Sequence, residues 1–486
     1  MKRSVLGVLA VLGVIGVLAV QPHAQAPDRS KAPQSGPPPT LKLPAIQKRM
    51  LSNGLGVWIV ERHGVPVVQV NLVVLSGTGD DPPNKFGIAS LTASMLTEGA
   101  GSRSALEVAD AVDFLGADLG TNAGSDGSAV RLSVPVARLA QALPIMADVA
   151  LRPTFPADEL QRQRAERLTQ IIEARDDPPS IDQLAFARVL YGTTHRYGTA
   201  QAGTAQTIQS FTVDDLRTFY RSAYVPSNAA LIVVGDVTPN RVMPLLETSF
   251  GKWQGGTAPQ HATLTAPPLP PARQIYLVDK PGAPQSQVRI GWVGVPRSTP
   301  DYFPLTVMNT ILGGSFSSRL NLNLREKHGY TYGASSAFDM RLGAGPFVAA
   351  AGIQTDKTAD ALKEFFNELN GILQAVPADE LTRAKHYVSL RYPTQFETTG
   401  DIAGRLEQAL VYHLPDDYFS TYVQKIEAVT GADVQRVAQK YIVPGKFAVV
   451  ITGDRAAIEP GIKALNLGPI KVMTVDDVFG PAPTIR

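Results

Sequence analysis

Ser90, Ala93 and Ser94 stand at positions i, i+3 and i+4 of a short amphipathic helix and therefore share one face. The apolar stripe of that helix is Ile88, Leu91 and Met95. A face with this spacing could hold a metal if it carried histidines, or a nucleophile if a base stood beside its hydroxyls. It presents only two hydroxyls and a methyl, and no base is identifiable nearby. The chain's 7 histidines (His23, His63, His195, His261, His328, His386 and His413) include no two close enough in sequence to share a helix face. Cysteine is absent, which excludes disulfides, thiolate metal sites, Fe–S clusters and cysteine nucleophiles together. Gly313-Gly314-Ser315 suggests a phosphate loop, yet no Gly-Lys-Ser/Thr follows, so a glycine turn is the simpler reading. His195, in His-Arg-Tyr-Gly, reads as structural.

The elements that position these residues follow from the hydrophobic pattern. Of 486 residues, 44% are hydrophobic and 18% charged, an ordinary globular balance for a chain too long for one core. The net charge of +2 and the lack of a basic stripe argue against a nucleic-acid partner. Lys2 and Arg3, the uncharged run Val5–Val20 and Ala24-Gln25-Ala26 predict an export signal over residues 1–26 and a periplasmic protein. Pro27 just past the cleavage point leaves an uncleaved anchor as the alternative. A proline-rich tether covers 27–44. Leu55–Glu61 and Val67–Leu75 read as strands joined in a hairpin at His63-Gly64. Helices follow from Gly87, from a capping box at Ser104–Glu107, and over Ala137–Ala150 and Ala157–Arg175. A second proline-rich stretch, residues 263–273, separates a domain at 45–262 from one at 274–486, where strands and helices begin again.

The restart is a repeat. Pro156-Ala-Asp-Glu-Leu-Gln-Arg162 returns 221 positions later as Pro377-Ala-Asp-Glu-Leu-Thr-Arg383. Val225-Pro226 and Gly235-Asp236 return, both 218 positions later, as Val443-Pro444 and Gly453-Asp454. Two matches in one order at nearly one offset predict an α+β protein of two homologous domains, each a mixed β-sheet packed by helices. From Gln47 to Asn466 the chain resembles the insulinase/pitrilysin family, in its mitochondrial-processing-peptidase-like two-domain branch. The resemblance is carried by Leu51-Ser-Asn-Gly-Leu55, Gly87–Gly101, the helix ending Arg175-Asp-Asp-Pro178, and Gly313–Tyr332. It implies one half of a clamshell around a peptide chamber.

Catalytic members of that family carry H-x-x-E-H on the first helix and a distant glutamate as third ligand. Laid on that motif, Ser90 and Ser94 replace the histidines, Ala93 the general base, and Gln170 the distant ligand. Hydroxyl and carboxamide are poor Zn²⁺ ligands and alanine moves no proton, so the resemblance implies a degenerate site with no metal or other cofactor bound by this chain. In the second half, Arg325 and Tyr332 match a family pair that binds the substrate carbonyl and stabilises the oxyanion in the opposite half's active site. The competing reading makes Arg325 a surface salt-bridge residue and Tyr332 a strand aromatic. The resemblance thus implies a non-catalytic subunit of a heterodimeric zinc endopeptidase acting on unfolded peptides. Its partner would be a homologous zinc-bearing subunit with an intact H-x-x-E-H. The alternative is a catalytically inert peptide-binding or assembly protein on the same fold.

Overall fold

The computed structural model describes residue 36, residues 45–261 and residues 263–484. The expected export signal over residues 1–26 and, Gly36 apart, the tether up to residue 44 lie outside the described residues. Within the first half the strands are β1 (Gln47–Met50), β2 (Gly56–Glu61), β3 (Val67–Val74), β4 (Gly99–Ala100), β5 (Arg103–Ser104), β6 (Asp118–Ala123), β7 (Ser128–Pro135) and β8 (Ala229–Gly235). β4 and β5 form a two-stranded ribbon, and the other six make one sheet in the order β1-β2-β8-β3-β7-β6.

That order corrects one sequence expectation. The Leu55–Glu61 and Val67–Leu75 runs do not form a hairpin, because β8 lies between them, parallel to β2 and antiparallel to β3. The reason is burial: β8 (AALIVVG) is buried at every residue but its first, as a central strand covered on both faces must be. The connection Arg62–Pro66 therefore spans two strand spacings, about 10 Å, instead of one. Its ends are tied to the end of β8, with Arg62 N–H donating to Gly235 O at 2.8 Å and Asp236 N–H to Val67 O at 3.1 Å.

The second half contributes β9 (Gln274–Asp279), β10 (Gln285–Val293), β11 (Thr331–Phe338), β12 (Pro346–Gln354), β13 (Ala448–Gly453) and β14 (Ile470–Met473), ordered β11-β12-β10-β13-β9-β14. Read from its other edge, this sheet repeats the first, with β13 in the place of β8. The outermost strand differs: β1 is antiparallel to β2, whereas β14 arrives from the end of the chain and runs parallel to β9. Residues 252–273, between the halves, form no helix or strand in their described part.

Helices α1 (Ile88–Met95), α2 (Ala105–Phe114), α3 (Leu139–Leu151), α4 (Ala157–Ala174), α5 (Pro178–Tyr191), α6 (Ala205–Ser210), α7 (Val213–Ala223) and α8 (Pro239–Phe250) belong to the first half. The second has α9 (Tyr302–Leu312), α10 (Thr358–Gly371), α11 (Ala378–Arg391), α12 (Thr399–Val411), α13 (Tyr418–Glu427), α14 (Gly431–Tyr441), α15 (Arg455–Ala464) and α16 (Val475–Phe479). The repeated motifs fall at equivalent points: Pro156 and Pro377 precede α4 and α11, and Gly235 and Gly453 end β8 and β13.

One helix of each half covers the sheet of the other. α5 packs on β10 and β13, and α12 packs on β3 and β8. Ile181, Phe186 and Leu190 of α5 thereby join a core with Ile290 and Val449 of the second sheet. Each exchanged helix also brings a carboxylate to the sheet it covers. Asp182 Oδ2 lies 3.1 Å from Arg289 Nε and its Oδ1 accepts from Thr452 Oγ1 at 3.2 Å. Glu407 accepts from Arg131 Nε at 2.9 Å and Nη2 at 2.6 Å, and from Asn71 Nδ2 at 2.6 Å.

Asp182 is 1% exposed. Burial pushes its carboxyl up to about 7, against the opposing pull of Arg289 and Thr452. A carboxyl raised above its unfolded value of about 3.9 stabilises the fold fully below that value and loses the contribution as pH rises through the folded pKa. Urea unfolding from about pH 4 to pH 8 should therefore show the wild type losing stability relative to Asp182→Asn as pH rises, with the difference levelling off above about 7.

Candidate functional site

The start of α1 is fixed by a buried carboxylate. Asp81 accepts backbone N–H groups from Gly87 at 2.6 Å and Ala89 at 3.0 Å, satisfying two donors of the helix N-terminus. It also pairs with Arg196 Nε at 2.9 Å, and neither side chain is more than 3% exposed. Burial pushes the Asp81 carboxyl up to about 6, while Arg196 and the two N–H groups pull the other way. Arg196 also donates to Thr199 O at 3.1 Å and Ala200 O at 3.3 Å, so segment 195–203 clamps the helix. His195 belongs to this clamp: its Nδ1 accepts the Tyr197 N–H at 3.0 Å and its ring stacks on Tyr191.

Two glycines make the clamp possible. Gly87 has φ +101°, and a Cβ there would stand 2.4 Å from Ala202 O. Gly203 has φ +92°, and its Cβ would stand 2.2 Å from Phe86 O. The two chain segments touch backbone to backbone, which only glycine permits.

So held, α1 packs against α4, α7 and β6. Ala93 is buried, and its carbonyl accepts the Thr121 Oγ1 hydroxyl of β6 at 2.7 Å. Ser90 and Ser94 are half-buried on the adjoining face. The residue that meets them from α4 is Arg167. Its Nη1 donates to Ser90 Oγ at 3.2 Å, and its Nη2 to Ser90 O at 3.1 Å and Ser94 Oγ at 2.8 Å. Gln170, to which the family spacing leads, is exposed and makes no hydrogen bond to either serine among the described residues. A long side chain one turn nearer the start of α4 reaches the place instead. One signal in the sequence marks it: Arg167 shares the core-facing register of Leu160 and Leu168.

The arrangement does not fit a metal. Two neutral hydroxyls and an alanine are the wrong donors, and the guanidinium between the helices is itself a cation. No group of three or more His, Asp or Glu side chains able to hold a metal occurs among the described residues.

In the second half, Arg325 and Tyr332 flank a short loop and are displayed by two backbone irregularities. Arg325 lies in the π-helical turn Leu322–Lys327, anchored by Asn323 Nδ2, which donates to Glu364 at 3.0 Å and Glu368 at 2.6 Å of α10. Its guanidinium stands 4.8 Å from the Phe316 ring centroid and 3.2 Å from Glu326, an exposed pair worth little by itself. Tyr332 sits where the β11–β12 pairing shifts register between Thr331 and Ala334, and it is 88% exposed. Thr331 Oγ1 holds the bulge, donating to Gly333 O at 2.9 Å and accepting its N–H at 3.1 Å. The Tyr332 hydroxyl makes no hydrogen bond among the described residues. Gly313 is a close-contact glycine, since a Cβ there would meet Ser336 N at 2.2 Å. The small-residue face and the Arg/Tyr pair thus lie in different halves, each built on its own elements.

Residues 57–207 match the model of the insulinase family, peptidase family M16, and residues 210–388 match that of the peptidase M16 inactive domain. An uncharacterised zinc protease of Streptomyces coelicolor is 26% identical over 404 residues, 81% of this chain and 86% of that protein. The crystal structure of a peptidase M16 inactive domain from Pseudomonas fluorescens superposes with a TM-score of 0.79 at 28% identity, covering 85% of this chain and 99% of that one. The periplasmic protease PqqL of Escherichia coli shares the fold, with a TM-score of 0.69 at 17% identity over 88% of this chain and 50% of its own. The chain belongs to the insulinase family of peptidases.

Two outcomes follow from the geometry. Gly87→Ala should lower stability by about 1–3 kcal/mol or more, read by chemical denaturation, because the side chain is both strained and blocked. The triple variant Ser90→His, Ala93→Glu, Ser94→His should hold only substoichiometric zinc by elemental analysis while Arg167 remains. Adding Arg167→Glu should raise the zinc content, since it replaces a cation by a ligand.

Proposed function

We propose that this chain is the non-catalytic subunit of an exported heterodimeric zinc endopeptidase. One contrast carries the reading: a guanidinium stands where catalytic relatives would hold a metal, while Arg325 and Tyr332 are displayed in the other half without a strong partner. In this reading the zinc and the H-x-x-E-H motif belong to a homologous partner, and hydrolysis is the partner's chemistry. This chain contributes half of a chamber for unfolded peptide. Arg325 and Tyr332 donate in trans to the carbonyl oxygen of the scissile bond, where negative charge grows as the tetrahedral intermediate forms. A planar guanidinium and a phenol held by a rigid turn and a bulge suit that role, because little reorganisation is needed at the moment of reaction. Export is supported by Lys2, Arg3 and the apolar run that follows. No helix among the described residues is long and apolar enough to cross a membrane.

The test is peptide cleavage by this chain, by a co-encoded homologue with an intact H-x-x-E-H, and by the two together. Only the mixture should cleave. Arg325→Ala or Tyr332→Phe in the mixture should leave zinc content and assembly unchanged and lower kcat by roughly 10²-fold, the usual effect of removing one oxyanion donor. Unchanged kcat would return both residues to an ordinary surface role, and cleavage by this chain alone would overturn the proposal.

A further inference from the structure

We propose that Arg167, with Ser90 and Ser94, forms a carboxylate-binding site, so that the place vacated by a metal in this half holds a negatively charged group of the peptide. This rests on the reading of the chain as a peptide-holding subunit and names what its first half recognises.

The argument begins with charge. Two arginines and no lysine are buried among the described residues, Arg196 at 4% exposure and Arg167 at 7%. Arg196 has its counter-ion in Asp81 at 2.9 Å. Arg167 has no carboxylate within ion-pair distance among the described residues; its partners are two hydroxyls and one carbonyl. Glu166, the acid whose charge acts on Arg167, lies 3.5 Å from Arg162, and Glu98 is bound to Arg162 at 2.5 Å and to Gln163 at 2.6 Å. A buried cation with only neutral acceptors is costly, and burial accordingly pulls the Arg167 guanidinium down to about 10, which leaves it charged at neutral pH.

Geometry then says where an anion would come from. A guanidinium has five N–H donors, and the three contacts above leave Nε–H and one Nη1–H without an acceptor among the described residues. Ser90 and Ser94 are only half-buried, so the hydroxyls to which the cation donates border a solvent-facing surface. That surface adjoins β6, the edge strand of the first sheet. A carboxylate arriving there would gain charge-assisted hydrogen bonds from the guanidinium and the hydroxyls. Two sources supply this chemistry, the C-terminal carboxylate of a peptide and an internal Asp or Glu.

Fluorescence anisotropy on the full chain with an N-terminally labelled eight-residue Ala/Ser/Gly peptide tests the site. The peptide is used with a free C-terminal carboxylate, as the C-terminal amide, and as the amide with one internal Asp. At least one acidic form should bind about tenfold or more tightly than the neutral amide, and which one identifies the source. Arg167→Gln should abolish the difference. Arg167→Lys, which keeps the charge and guards against a folding defect in the glutamine variant, should retain a reduced preference. Equal binding of all three forms to the wild type, or an undiminished preference in folded Arg167→Gln, would overturn the carboxylate site and leave the peptide-holding role standing. Failure of every form to bind would overturn both.

Discussion

A mixed sheet with parallel pairs at its centre must be covered on both faces, and neither half of this chain covers its own sheet alone. The constraint is met by exchange: α5 leaves the first half to lie on β10 and β13, and α12 leaves the second to lie on β3 and β8. Almost everything else depends on that trade. It merges the two repeats into one compact unit. It also brings Asp182 to Arg289, and Glu407 to Arg131 and Asn71, as polar contacts that fix the register of one half on the other.

The rigidity obtained this way serves two dissimilar sites. In the first half, Asp81, Arg196, Gly87 and Gly203 pin the start of α1. The face bearing Ser90, Ala93 and Ser94 therefore has a set position against α4. The Arg167 guanidinium bridges α4 to α1 here, its donors meeting the two serine hydroxyls and the Ser90 carbonyl. Donors held in this way suit an anion and not a metal ion.

In the second half regular structure is broken where display matters. A straight α-helix and an unbulged strand would keep their side chains in the packing registers of their neighbours. The π-helical turn and the bulge at Tyr332 add a residue out of phase at each position, so Tyr332 projects from the surface while Arg325 lies on it against Phe316. Both irregularities are held by side chains, Asn323 for the turn and Thr331 for the bulge.

The sequence alone determined the elements, the repeat and the absence of an H-x-x-E-H motif. Strands rich in Val and Ile, the capping box at Ser104 and the paired motifs at Pro156 and Pro377 are local patterns, and they fold as such patterns do. The absence of histidine pairs and cysteine likewise needs no fold to interpret. Tertiary structure decided which strands became neighbours, which helix covered which sheet, and which side chain met Ser90 and Ser94. The expected hairpin gave way to β8 because the most apolar strand claims the centre of the sheet, a competition between segments far apart in sequence. That Arg167 and not Gln170 contacts Ser90 and Ser94 could not be read from the sequence, because spacing along one helix does not encode the reach of a long side chain toward another helix. That reach is set by how closely α1 and α4 pack, and their packing is set by the clamp at Asp81 and by the core beneath them.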